Sequence, residues 1–110
     1  MEPRLPAHLE VSALIRQVEA AGGFAMVLSK GERDAGTILV VLTQNGGNSR
    51  AYERMPQADG SRQWCQTFTQ DPEKPWEFSE ILTRWASRDP DLWIVELDIA
   101  NGERFIGLSR

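Results

Sequence analysis

Five consecutive apolar residues, Ile38-Leu39-Val40-Val41-Leu42, constrain the fold more than any other stretch of this chain. Successive side chains of a strand point to opposite faces of the sheet, so this segment is apolar on both. A half-exposed strand would alternate with polar residues; this one requires cover above and below. The run before it is nearly as apolar, with Phe24, Met26 and Leu28 on one face and Ala25 and Val27 on the other. The two runs, Phe24–Lys30 and Gly36–Thr43, read as the central hairpin of a sheet, with Gly31–Ala35 as its loop.

The remaining elements are placed around that hairpin. Upstream, Val11, Leu14, Ile15 and Val18 fall at i, i+3, i+4 and i+7, the spacing of an amphipathic helix. Gly22-Gly23 stops it. Its other face carries Ala13, Arg16 and Ala20, small enough in part for a second chain to approach, which makes Arg16 a candidate contact. Downstream, Gln44–Asn48 is a turn, and Ser49–Met55 is a less apolar strand nearer an edge. Arg62–Thr69 alternates, with Trp64, Gln66 and Phe68 on one side. Asp71-Pro72 opens a second helix whose apolar stripe is Phe78, Ile81, Leu82 and Trp85, and Asp89-Pro90 ends it. Finally, Trp93, Val95, Leu97 and Ile99 alternate with Ile94, Glu96 and Asp98. Asn101-Gly102 is the strongest two-residue hairpin signal, and it would set Leu97 opposite Ile106 and Val95 opposite Leu108. The expectation is a single α+β domain over residues 1–110. It has two helices and a mainly antiparallel sheet of about six strands, in the order α-β-β-β-β-α-β-β.

Charge and composition narrow the function. A net charge of −4 and a pI near 5.0 argue against nucleic acid as a partner. Cys65 and His8 stand alone in their types, so no intramolecular disulfide, zinc cluster or obvious nucleophilic triad can be assembled. Cys65 reads as a small buried apolar residue. No glycine pattern has phosphate-loop or dinucleotide spacing. No apolar run reaches the roughly 18 residues of a membrane span, and Met1-Glu2-Pro3-Arg4 lacks the pattern of a signal peptide. A cytoplasmic protein is expected, with no cofactor, metal or catalytic residue assigned.

Three features hold the remaining functional signal. Lys30 and Arg33 lie in a glycine-bracketed loop whose amides suit a phosphate or carboxylate, although Glu32 and Asp34 share it. Asp89, Asp91, Glu96 and Asp98 form an acidic group better explained by a helix end and a strand edge than by a bound cation. Trp76 projects nearly opposite the apolar stripe of its helix, as interface anchors do.

Val11-Ser12-Ala13-Leu14-Ile15-Arg16, Gly23-Phe24-Ala25, Ala35-Gly36 and Asp89-Pro90-Asp91-Leu92-Trp93-Ile94-Val95-Glu96 occur in that order. In this the chain resembles a small bacterial family catalogued as domain of unknown function fourteen-ninety-one. The segment from about Ser49 to Ile81 matches less well, and Arg88 stands where an aromatic residue is expected. The resemblance implies a bacterial cytoplasmic protein of one domain and carries no catalytic or binding residues with it. A non-enzymatic binding or assembly module is the preferred function. The alternative is a small enzyme or ligand-binding protein taking an anionic metabolite through Lys30 and Arg33. If both helices covered one face, the other side of Ile38–Leu42 would lie bare, so a homodimer, or a protein partner, is expected.

Overall fold

The computed structural model describes residues 5–56 and 58–108; the reading of Met1–Arg4 lies outside them. Helix α1 (Ala7–Ala20) leads into strand β1 (Phe24–Ser29), followed by β2 (Ile38–Gln44), β3 (Gly47–Pro56) and β4 (Arg62–Thr69). Helix α2 (Pro75–Arg88), strand β5 (Trp93–Asp98) and a short 3-10 helix (Gly102–Ile106) complete the chain. Gly22 ends α1 as expected, at φ 92°. The second helix starts a turn later than Asp71: Pro75 takes its first position, and Asp71 instead closes the preceding turn by accepting from the Glu73 amide.

The class is α+β, but the sheet has five strands and is mixed, in the order β1-β5-β2-β3-β4. β5 inserts between β1 and β2, antiparallel to the first and parallel to the second. The expected central hairpin is therefore split, and β1 becomes an edge. This also removes the sixth strand. Both sides of β5 are already hydrogen-bonded, so the segment after Asn101-Gly102 has no free ladder to join. It coils instead into the 3-10 helix, with Gly102 close against Leu42 and Ile106 buried in the core. The Asn-Gly pair that does make a two-residue hairpin is Asn45-Gly46, both at positive φ, between β2 and β3.

The two helices lie on opposite faces. Ala7, Val11, Leu14 and Val18 of α1 pack with Ile38, Val40, Leu42, Trp93, Val95 and Leu97. Phe78 and Leu82 of α2 pack with Leu39, Val41, Ala51 and Ile94. The two apolar faces of β2 are thus covered within one chain. That supplies internally the burial for which a homodimer was expected. On β4, the register shifts opposite Ala51 and Tyr52, leaving Thr67 as an extra residue. The bulge turns Phe68 to the α2 face, where its ring lies 5.3 Å from that of Phe78, while Trp64 and Gln66 stay on the α1 face. The three do not share one side as their alternation suggested.

Candidate functional site

The loop between β1 and β2 is built around its own backbone. The Glu32 carboxylate accepts from the amides of Asp34 (2.9 Å) and Ala35. Those are the donors that would have held a phosphate, and here an internal carboxylate occupies them. The carbonyls of Asp34 and Arg33 accept from Ala7 N and His8 N at 2.9 Å each, satisfying the first amides of α1, which has no side-chain cap. Glu32 also takes a 2.7 Å hydrogen bond from the Trp93 indole through its carbonyl. A Cβ added at Gly31 or Gly36 would sit 2.2 or 2.4 Å from the Asp91 carbonyl oxygen. The Ala35-Gly36 and Asp-Pro-Asp-Leu-Trp blocks are therefore two halves of one packing contact. Lys30 and Arg33 both point outward, with Arg33 at most a loose neighbour of Asp34 at 3.9 Å.

A second polar group stitches the α1 face. Glu103 of the 3-10 helix accepts from Arg50 (2.8 Å) and from the Tyr52 hydroxyl (2.9 Å). Burial works to raise the Glu103 pKa, but its backbone and Tyr52 hydrogen bonds and the Arg50 cation outweigh it and hold the carboxyl below the usual glutamate value. Burial raises the Tyr52 phenol, and donation to Glu103 adds to the effect. Arg54 forms a two-pronged pair with Glu10 of α1 and lies 4.9 Å above the Trp64 ring. Each of these groups links strands to a helix, and their charges are consumed in doing so.

The opposite face has an open half. Five strands at about 4.8 Å spacing make a sheet nearly twice as wide as one helix, about 10 Å. Helix α2 packs on Ile94 of β5, Leu39 and Val41 of β2, Ala51 of β3 and Phe68 of β4, and leaves the β1 edge bare. There Phe24 is 77%, Met26 56% and Leu28 43% exposed. Beside them on β5 stand Glu96, paired in register with Met26 and Val41, and Asp98, paired with Phe24 and Thr43. Burial, with its apolar neighbours Met26 and Val41, raises the Glu96 pKa, and the Asp98 charge raises it further. Asp98 accepts from the Asn45 amide at 2.8 Å; Glu96 has no hydrogen-bond or ionic partner among the described residues. A groove of about 410 Å³ separates this surface from α2, lined by Leu28, Ser29 and Ile94 on the sheet and Ser79, Thr83 and Ser87 on the helix. Trp76, 59% exposed, stands on the outer side of α2, nearly opposite the Phe78 and Leu82 stripe, and does not line the groove.

Of the residues singled out in the sequence, Trp76 is exposed on α2 but does not line the groove. Arg16 is exposed on α1, across the sheet from Trp76, and Lys30 and Arg33 occupy the loop under the start of α1. The acidic group divides: Asp89 and Asp91 close the turn before β5, where the Asp89 side chain accepts from the Asp91 amide, while Glu96 and Asp98 lie at its far end. Among the described residues no three His, Cys, Asp or Glu side chains are grouped to hold a metal ion. Cys65 is half-buried on the edge strand β4, not in the core. The exposed run on β1 does not show in its own sequence, where Phe24–Lys30 reads as a central strand. Its signal lies in β5: Leu92–Val95 is as continuously apolar as β2, and such a strand needs a neighbour on each side.

These features define a three-layer α+β domain with one helix per sheet face and one half-face open. The chain belongs to the family described as "Protein of unknown function (DUF1491)", whose model matches residues 5–107, the same family that its sequence blocks resemble. A crystal structure of a DUF1491 family protein from Caulobacter crescentus CB15 is 33% identical, with a TM-score of 0.77 over 94% of this chain and 96% of that one. The solution structure of a protein from A. tumefaciens is also 33% identical, with a TM-score of 0.75 over 96% of this chain and 95% of that one. No curated protein matches the chain.

Proposed function

We propose that this domain is a binding module whose recognition surface is the open half of the α2 face. One observation carries the reading: the edge strand β1 presents Phe24, Met26 and Leu28 to water, beside a groove that Leu28 shares with α2. Isolated exposed apolar residues are ordinary, but a contiguous run of them on an edge strand is what protein contacts use. Native edges are normally guarded by charge, proline or a bulge; Phe24–Ser29 has no charge or proline, and its one register shift falls at Leu28, past Phe24 and Met26. The other edge, β4, is largely polar in sequence, which points to β1 as the functional side. The lone cysteine, and the absence among the described residues of a helix long and apolar enough to cross a membrane, support a cytoplasmic setting.

The alternative, an anionic metabolite held by Lys30 and Arg33, has weaker support. The loop amides that would bind it already bind Glu32. A photo-cross-linking side chain placed at position 24, and separately at Gln63 on the β4 edge, tests the choice in native cells. A discrete adduct from position 24 and none from position 63 is expected. Equal labelling from both, or a discrete adduct from position 63 alone, contradicts the reading.

A further inference from the structure

Resting on that reading, we infer that the occupant of the open half-face is a cationic amphipathic helix of a partner protein, lying beside α2 with a Lys or Arg facing Glu96 and Asp98. The shape argues for a helix. The bare strip flanks α2 and runs the length of β1, about 20 Å, and its groove is lined by β1 on one side and α2 on the other. A helix there would pack against both the sheet and the Ser79, Thr83 and Ser87 flank of α2, whose small side chains allow a close approach.

The charge argues for a cation. The surface is apolar at Phe24, Met26 and Leu28 but carries two carboxylates at its inner edge, one of them without a described partner. An apolar helix covering it would bury Glu96 unpaired, which is costly. An acidic helix would add repulsion to that cost. A second copy of this chain fits no better: a two-fold contact lays the same patch on itself, and neither Phe24–Ser29, Trp93–Asp98 nor the groove lining holds a cation for Glu96. Only a partner bringing apolar residues and a cation together satisfies both parts of the surface.

Fluorescence anisotropy with labelled 18-residue amphipathic peptides tests this on the full chain. One peptide carries a leucine stripe flanked by lysines; in the other, glutamates replace the lysines. The lysine peptide is expected to bind and the glutamate peptide not to. Glu96→Gln should weaken the lysine peptide at least tenfold, Phe24→Ser with Met26→Ser should abolish binding, and Glu19→Gln, on the far side of the molecule, should leave it unchanged. If Glu96→Gln and Glu19→Gln have equal effects while the Phe24/Met26 variant still loses binding, the cationic partner is wrong and the surface stands. If the Phe24/Met26 variant binds normally, the surface fails as well. Sedimentation equilibrium separates the second copy: a dimer returned to monomer by the Phe24/Met26 variant would overturn the inference.

Discussion

Glu32 shows how one side chain can occupy the site that its neighbours advertise. Its carboxylate takes the Asp34 and Ala35 amides, and its carbonyl takes the Trp93 indole. Glu32→Ala should therefore cost about 1 kcal/mol or somewhat more, because it leaves turn amides without an acceptor. Alanine at both Lys30 and Arg33 should change stability by under about 0.5 kcal/mol, since both are exposed. Urea denaturation of the two variants separates these roles. Glu96 makes the opposite case, a residue that the fold disfavours in its charged form. Its folded pKa is raised by burial and by Asp98, so its contribution to stability is greatest below the ordinary glutamate pKa and is lost as pH rises through the raised value. The groups around it are Met26 on β1, Val41 on β2 and Asp98 on its own strand, and none supplies a cation. Glu96→Gln should raise the melting temperature at pH 7, with the gain shrinking as the pH falls through that window. A variant that is more stable yet binds the lysine peptide less well is the signature of a residue kept for contact.

At the scale of elements, much of the fold was legible because hydrophobic period and turn chemistry agree locally. Val11, Leu14 and Val18, and Phe78 and Leu82, bury the faces that their spacing marks, and β4 spans Arg62–Thr69 as read. What was not legible is pairing between distant segments. Nothing local to Phe24–Leu42 says that a strand from residues 93–98 will enter between its two halves. The Asn101-Gly102 signal was sound as local chemistry, since Asn101 does adopt a left-handed backbone at φ 56°. It failed because β5 has no open side to receive a returning strand. The same insertion exposes β1, so the misplaced strand and the missed surface have one cause. Trp76 was visible beforehand because its helical projection needs no knowledge of the sheet; Phe24 and Met26 became visible only with strand order.

For the whole molecule, one helix per face explains how a chain of 110 residues can afford a strand apolar on both sides. It also sets the limit of that cover. Helix α1 packs on one face and α2 on Ile94, Leu39, Val41, Ala51 and Phe68 of the other, and the sheet is wider than the second helix can span. The central claim is that the apolar side chains left on that half-face serve contact and not the fold. Chemical denaturation of the Phe24→Ser, Met26→Ser double variant tests it most directly. Exposed side chains that support no packing should leave the unfolding free energy within about 0.5 kcal/mol of the parent. A loss above about 2 kcal/mol, the scale of truncating a buried core residue, would place Phe24 and Met26 in the fold and contradict the account.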